Sequence, residues 1–555
     1  MRKPKLALLI MTLAWTGSAC LKKKKTNTAA ATAGADTLPS TYTLKGTVSG
    51  LLPGASLTFN LNESESLTLT EDGNFTFAAV LKEGDSYAVA IDSLDGQWVN
   101  SFLNECSVTN GSGTAKENLS DVAIECKKIL VFYANSGTSG ERGLWRTDGT
   151  EAGTTFLHEV NTAASPWAPY NTFVSHTIQN QLFFLAKGSD AGTQLWRTDG
   201  TRDGTSIFYN SGNVVSANAN LSFVKLDSQF FYAFNDGTHG LELWKTDGSA
   251  SGTGLVKDIG SNGGGPTNLA VVNDRLYFNI DDADHGTELW TSDGTDAGTV
   301  LVKDIVAGTD SSYPGKLVGM GDSAYFIEFS SPHQIKRLWK TDGTEAGTTV
   351  IKEIDRGVTS GVISTSLAVL GNTLLFPADD GVNGIEMWKS DGTPAGTVLL
   401  KDIAAGATSS SPGPVTIMGG FAYFTAKTAT HGTELWKTDG TEAGTVLVKD
   451  IYEGVTDSFP GIKVVAGDKL FITATDAAHG SELWVSDGTS EGTVLLKDIN
   501  SSGNSSPTIF AYDGTHVYFR ATSLENGSEL WKSDGTSAGT VMVKDINPGS
   551  TGSNG

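Results

Sequence analysis

The chain is poor in cysteine, arginine and long apolar runs, and each shortage narrows what it can be. Three cysteines in 555 residues, Cys20, Cys106 and Cys126, leave room for very little covalent bracing. After the first fifteen positions no window approaches twenty consecutive apolar residues, which argues against a membrane-spanning helix there. Positive charge is short, with 39 Lys and Arg against 62 Asp and Glu and a net charge of −23. Such a field repels phosphate backbones, so nucleic acid is not an expected partner. No Gly-x-Ser-x-Gly elbow, His-Glu-x-x-His helix or phosphate loop with Lys occurs, and no arginine cluster stands out. No motif calls for a catalytic residue, a metal or a cofactor. What is abundant is glycine, at 66 residues, together with 9% aromatics and 39% hydrophobics, a mixture suited to strands and tight turns. The length exceeds one ordinary core and implies several domains.

Residues 1–20 have the plan of an export signal. A basic start, Met1-Arg2-Lys3-Pro4-Lys5, precedes ten largely apolar residues, 6–15, and the small residues Gly17-Ser18-Ala19. Cys20 follows at once and resembles the lipidated cysteine of bacterial lipoproteins, although Gly17 stands where that family's lipobox usually has Leu. The resemblance implies a lipid anchor on Cys20. Because Leu21 and not Asp comes next, it also implies sorting to the outer membrane, facing periplasm or cell surface. Cleavage after Ala19, giving a secreted protein, is the alternative. Lipidation leaves Cys106 and Cys126 as an even pair, suited to a disulfide in an oxidising compartment. Residues 21–40, with four lysines and then Ala, Thr and Gly, form a low-complexity tether.

From 41 to 127 short alternating runs such as Ser56-Leu57-Thr58-Phe59-Asn60-Leu61 are cut by turn signals at Pro53-Gly54, Asp72-Gly73 and Asn110-Gly111. The pattern predicts a small β-sandwich bridged by its two cysteines. Gly46-Thr47-Val48-Ser49-Gly50-Leu51 and Gly73-Asn74-Phe75-Thr76-Phe77 are similar to a β domain found near the start of bacterial surface lipoproteins. That likeness implies a stalk without chemistry of its own.

The rest of the chain is a repeat. Leu/Met-Trp-x-Thr/Ser-Asp-Gly-Thr/Ser is written nine times, with Trp145, Trp196, Trp244, Trp290, Trp339, Trp388, Trp436, Trp484 and Trp531 spaced 46 to 51 residues apart. Each unit reads as four strands: a first pair joined by a two-residue Asn/Asp/Gly turn, a third carrying Trp, and a fourth after the Asp-Gly turn. A longer crossover then leads to the next unit, often ending in proline, as at Pro166, Pro266, Pro314, Pro412, Pro460 and Pro507. Four-stranded units that cannot bury their apolar faces alone predict a large β-propeller over 128–546. It has nine blades with one short sheet, or eight with the first unit as a cap. Residues 547–555 are expected to be a flexible tail. Glu434-Leu435-Trp436-Lys437-Thr438-Asp439-Gly440-Thr441 also resembles the bacterial ELWxxDGT repeat family, from which Gly143, Gln194 and Arg337 depart at the Glu position. The likeness implies a propeller-like surface protein and no particular activity.

The Asp-Gly pairs have a sufficient role as turns, the tryptophans as core between sheets, and His239, His285, His431 and His479 as turn residues. The most variable segments are the crossovers, and Trp167, Tyr170, Tyr313 and Phe459 within them are the candidate binding residues. The expected function is therefore display of a propeller at the cell envelope for binding a protein or glycan. A propeller-type glycoside hydrolase or lyase, and an envelope protein with a purely structural role, are the alternatives.

Overall fold

The computed structural model describes residues 41–52, 54–96, 102–137, 142–160, 175–178, 180–187, 193–209, 223–260, 264–329, 336–355, 367–549 and 552–553. Cys20, Trp167 and Tyr170 lie outside them. Among the described residues there is no helix, and the fold is all-β.

The unit containing Trp290 shows how the repeat sequence becomes structure. Thr267–Val272, Arg275–Asp282, Gly286–Ser292 and Val300–Lys303 pair antiparallel in chain order. Asn273 and Asp274 between the first two strands have φ of 52° and 57°, the left-handed pair that a two-residue hairpin needs. Trp290 lies opposite Phe278, and both pack against Leu226, Phe231 and Leu243 of the preceding unit. The apolar face of one sheet is thus completed by its neighbour, which is why the units cannot stand alone. Among the described residues eight sheets have this order, the last ending at Val541–Lys544.

First strands of successive sheets approach one another within 8 Å between Cα atoms, as Val224–Leu226 and Thr267–Val272 do. Fourth strands lie outermost, with Val300, Val398 and Val494 exposed. Antiparallel order then gives each unit two ends. One carries the first-to-second hairpins and the Asp-Gly turns, and we call it the turn end. The other carries the second-to-third loops and the crossovers, and is the loop end.

The small domain is a sandwich. One sheet pairs Glu65–Leu69, Ala55–Leu61, Ser86–Gly96 and Ser112–Thr114. The other joins Gly73–Thr76, Leu44–Ser49, the long strand Leu119–Asn135 and Phe102–Thr109. Phe59, Phe75 and Phe77 meet edge-on in the core, with centroids 4.7 to 5.8 Å apart. A Cys106–Cys126 disulfide joins Phe102–Thr109 to the long strand where the two cysteines face each other.

Two sequence-based boundaries change. The division at 127/128 falls inside the strand Leu119–Asn135, which leaves the sandwich and continues as the second strand of the Trp145 unit. That unit is not short of a first strand. Phe102 and Leu103 pair with Leu130 and Ile129, at the register where Val271 and Val272 pair with Leu276 and Arg275 in the Trp290 unit. One strand of the small domain thus completes the repeat. Within 547–555, expected as a flexible tail, Asn547 and Ser553 are buried, and Ser553 Oγ donates to Ser528 O.

Ser553 also repeats a contact made at the crossovers. The carbonyls of Ser312, Ser410, Ser458 and Ser505 accept from Phe329, Lys427, Thr475 and Thr522 on the second strand of the following unit, at 2.8 to 3.0 Å. The Ser553 carbonyl accepts from Asn135 N, the same position of the Trp145 unit, at 3.4 Å. The last unit therefore shares with the first one backbone contact that interior neighbours make.

Candidate functional site

The turn end is built for assembly. In the Trp290 unit Asp293 Oδ1 accepts from Thr295 N at 2.9 Å and Thr295 Oγ1 at 2.7 Å. Thr295 Oγ1 accepts from Gly298 N, and Thr299 Oγ1 donates to Thr295 O. These bonds hold the Asp293 carboxyl below its usual range, the Thr295 hydroxyl contributing most. A side chain on Gly298 would run into that carboxylate. The same network recurs in the other units, for instance around Asp148, Asp391 and Asp534.

Most of these turns receive a basic side chain from the unit before them. Lys245, Lys389 and Lys437 donate to the carbonyls of Gly294, Gly440 and Gly488 at 2.8 to 2.9 Å. Lys257, Lys401 and Lys497 of fourth strands donate to Thr299, Thr445 and Thr540 at 2.7 to 3.0 Å. Lys532 to Gly149 O and Lys544 to Thr154 O, both 2.8 Å, repeat the pair between the last unit and the first. Arg146 does the same at Gly200. Among the described residues no group of three or more His, Cys, Asp or Glu is placed to hold a metal ion.

The glutamate two positions before Trp has a role that the sequence pattern alone did not reveal. Glu434 is fully buried, and Ile451 N, Ser458 N and Ser458 Oγ donate to it at 2.9, 3.1 and 2.6 Å. It pins the crossover to the sheet. Glu288, Glu386 and Glu482 bind Ser312, Ser410 and Ser505 alike. Burial pushes the carboxyls of Glu288 and Glu434 up to about 7, against the pull of their hydrogen bonds. Arg337 breaks this pattern, but its guanidinium is tied to buried Glu328 at 3.3 Å and to Glu353 at 3.7 Å. The nine repeat tryptophans are core: Trp145, Trp196, Trp244, Trp290, Trp339, Trp388, Trp436, Trp484 and Trp531 are all buried. His239, His285 and His479 bond Asp236, Asp282 and Asp476 within their own loops, and those bonds raise their pKa.

The loop end is where the chain exposes what it would normally cover. Tyr313 and Phe459 follow the pinned serines Ser312 and Ser458, so they occupy one position in two crossovers and share this end. Ser411 and Ser506 fill it elsewhere, and all four have φ between 44° and 47°. For a bulky aromatic that conformation costs on the order of 1–3 kcal/mol. The rings gain little burial in return, being 48% and 66% exposed. Val455 in a crossover, and Val382 and Leu524 in second-to-third loops, are exposed at the same end. Tyr313 and Phe459 therefore do not plug their crossovers.

The small domain sits at the other end. Lys127 pairs with Asp148, Arg146 with Glu105, and Lys128 Nζ donates to Asp513 O. Asn104 and Asn180 exchange hydrogen bonds at 3.0 and 2.8 Å. Asp148, Asn180 and Asp513 all belong to turns of the turn end, so the exposed loop residues face away from the sandwich.

These features define an all-β repeat protein with a structural turn end and an open loop end. No family model matches the chain, and no curated protein matches it. Among solved structures it is similar to a puromycin hydrolase, with 13% identity over 71% of this chain and 56% of that one, at a TM-score of 0.36. A puromycin-hydrolyzing peptidase of Mycobacterium tuberculosis shares 9% identity over 65% of this chain and 57% of that one, at 0.34. A dihydro-heme d1 dehydrogenase shares 14% over 65% and 72%, at 0.38. The chain spans less than two thirds of either hydrolase.

Proposed function

We propose that the nine units close into a β-propeller, held at the cell envelope through a lipid on Cys20, with the loop end displayed for binding a protein or glycan. Closure is supported by Lys532, Lys544 and Ser553, which repeat between the last and first units the contacts of interior neighbours. Anchoring rests on the export-signal plan of residues 1–20. The observation that carries the binding reading is the placement of Tyr313, Val382, Val455, Phe459 and Leu524 on the end remote from the small domain. A tether entering that domain at residue 41 would leave this end free.

A glycan array and an envelope-protein pull-down, each run with the chain and with a Tyr313→Ser, Phe459→Ser, Leu524→Ser variant, test it. Specific retention that the triple variant loses by about tenfold or more is expected. Retention unchanged by the variant refutes the loop-end reading. Separately, Cys20→Ala should move the protein from the membrane to the soluble fraction, and unchanged partitioning would remove the anchor.

A further inference from the structure

Of the three pinned crossovers that lead into the last three units, only the one at 450–460 carries large apolar side chains on its outer side. Val455 is 71% exposed and Phe459 66%, while the corresponding segments 402–415 and 498–507 present Ala, Ser, Thr and Asn. Tyr452 lies half-buried in the same loop. The formal charges in the three segments are Asp402, Asp450, Glu453, Asp457 and Asp498, with no Lys, Arg or His among them. Asp457 is partly answered by Lys427 at 3.0 Å, and Asp402 and Asp450 each accept one backbone N–H, from Gly406 and Gly454. Asp402, Glu453 and Asp498 remain exposed.

Exposed apolar side chains in a loop that also carries Asp450, Glu453 and Asp457 are matched by a partner with apolar side chains and positive charge. A neutral glycan would gain nothing from the surrounding field, and an anionic one would be repelled. Phe459 offers a ring with no polar tip, and Val455 is aliphatic, so the pair fits apolar side chains better than sugar hydroxyls. We infer that the 450–460 crossover docks a polypeptide segment in which basic and apolar side chains alternate. The inference rests on the loop-end reading above and narrows its partner to protein.

The test uses the full chain and three fluorescent peptides of equal length, built of alternating Lys and Leu, Lys and Ser, or Glu and Leu. Fluorescence anisotropy at physiological salt should show the Lys–Leu peptide bound at least about tenfold more tightly than either control. Val455→Ser with Phe459→Gly should remove most of that preference without lowering the melting temperature, because glycine suits the φ of 46° at this position. Glu453→Gln with Asp498→Asn should make binding less sensitive to salt. Equal affinity for the Lys–Leu and Lys–Ser peptides would overturn the proposal. So would a Val455→Ser, Phe459→Gly protein that binds as before. If Tyr313→Ser with Leu524→Ser then releases the peptide, the loop-end reading survives without this site. If Glu442→Gln with Glu491→Gln at the turn end releases it, both fall.

Discussion

At the scale of single residues, the repeat divides its acids into two kinds with opposite pH behaviour. Asp293, Asp342, Asp391, Asp439, Asp487 and Asp534 accept from a nearby hydroxyl and backbone N–H, and their pKa values lie below the usual 3.8. Their contribution to stability is present above that value and lost as pH falls through the folded pKa. Glu242, Glu288, Glu434 and Glu529 are buried, and their folded values of about 7 exceed the ordinary 4.5. Here the neutral acid is the form the fold favours. The contribution is complete below 4.5 and lost as pH rises through 7. The melting temperature should accordingly peak in mildly acid solution and decline between about pH 5 and 8, as thermal denaturation would record. Glu434→Gln, which keeps the shape of the neutral acid, should lessen the decline. A melting temperature that is flat or rising over that range would show that these carboxyls are ionised in the fold. The two kinds differ in how plainly the sequence announces them. Asp, Thr and Gly of the turn lie within eight residues, so turn chemistry alone reads them. Glu434 meets Ser458, 24 positions along, only after a crossover has folded back.

At the scale of strands and loops, alternation and turn residues reveal nearly every four-stranded unit, because pairing inside a unit is local. The strand Phe102–Thr109 escapes that reading. It pairs with the long strand Leu119–Asn135 throughout, yet one half lies in the sandwich and the other serves the Trp145 unit. No turn marks the passage, so a boundary drawn from composition cuts through it. The Cys106–Cys126 bridge lies between the two halves and holds the register on both sides. Closing a loop of 20 residues contributes on the order of 3 kcal/mol by constraining the unfolded chain. Cys106→Ser with Cys126→Ser should therefore cost stability of that order. The loss should appear in hydrogen exchange at residues 102–105 and 128–130 as well as in the sandwich. Loss confined to the sandwich would mean that the Trp145 unit holds its first strand without the bridge.

At the scale of the whole molecule, the question is whether the units form a ring or an open stack. A stack has two ends whose outer faces need polar capping. Here the Trp145 unit offers Phe132, Ala134 and Trp145, which share a cluster with Ala511, Tyr518, Leu530 and Val543 of the last unit. The apolar face of the first unit is thus covered by the ninth, and both basic contacts to the turn end recur across that seam. In such a ring the seam depends on the small domain, because Phe102 and Leu103 complete the first unit and Phe102 meets Tyr518 with centroids 5.8 Å apart. A fragment 128–555 would keep every Trp repeat yet lose that strand, leaving Ile129 and Leu130 unpaired on one edge. Compared with 41–555, it should melt several degrees lower. Its extra hydrogen exchange should centre on residues 129–135 and 517–523, on the two sides of the seam, with the opposite units little changed. Equal melting and equal protection in the two proteins would show that the repeats close without help from the sandwich. Exchange raised evenly through all units would instead point to an open stack that frays from its ends.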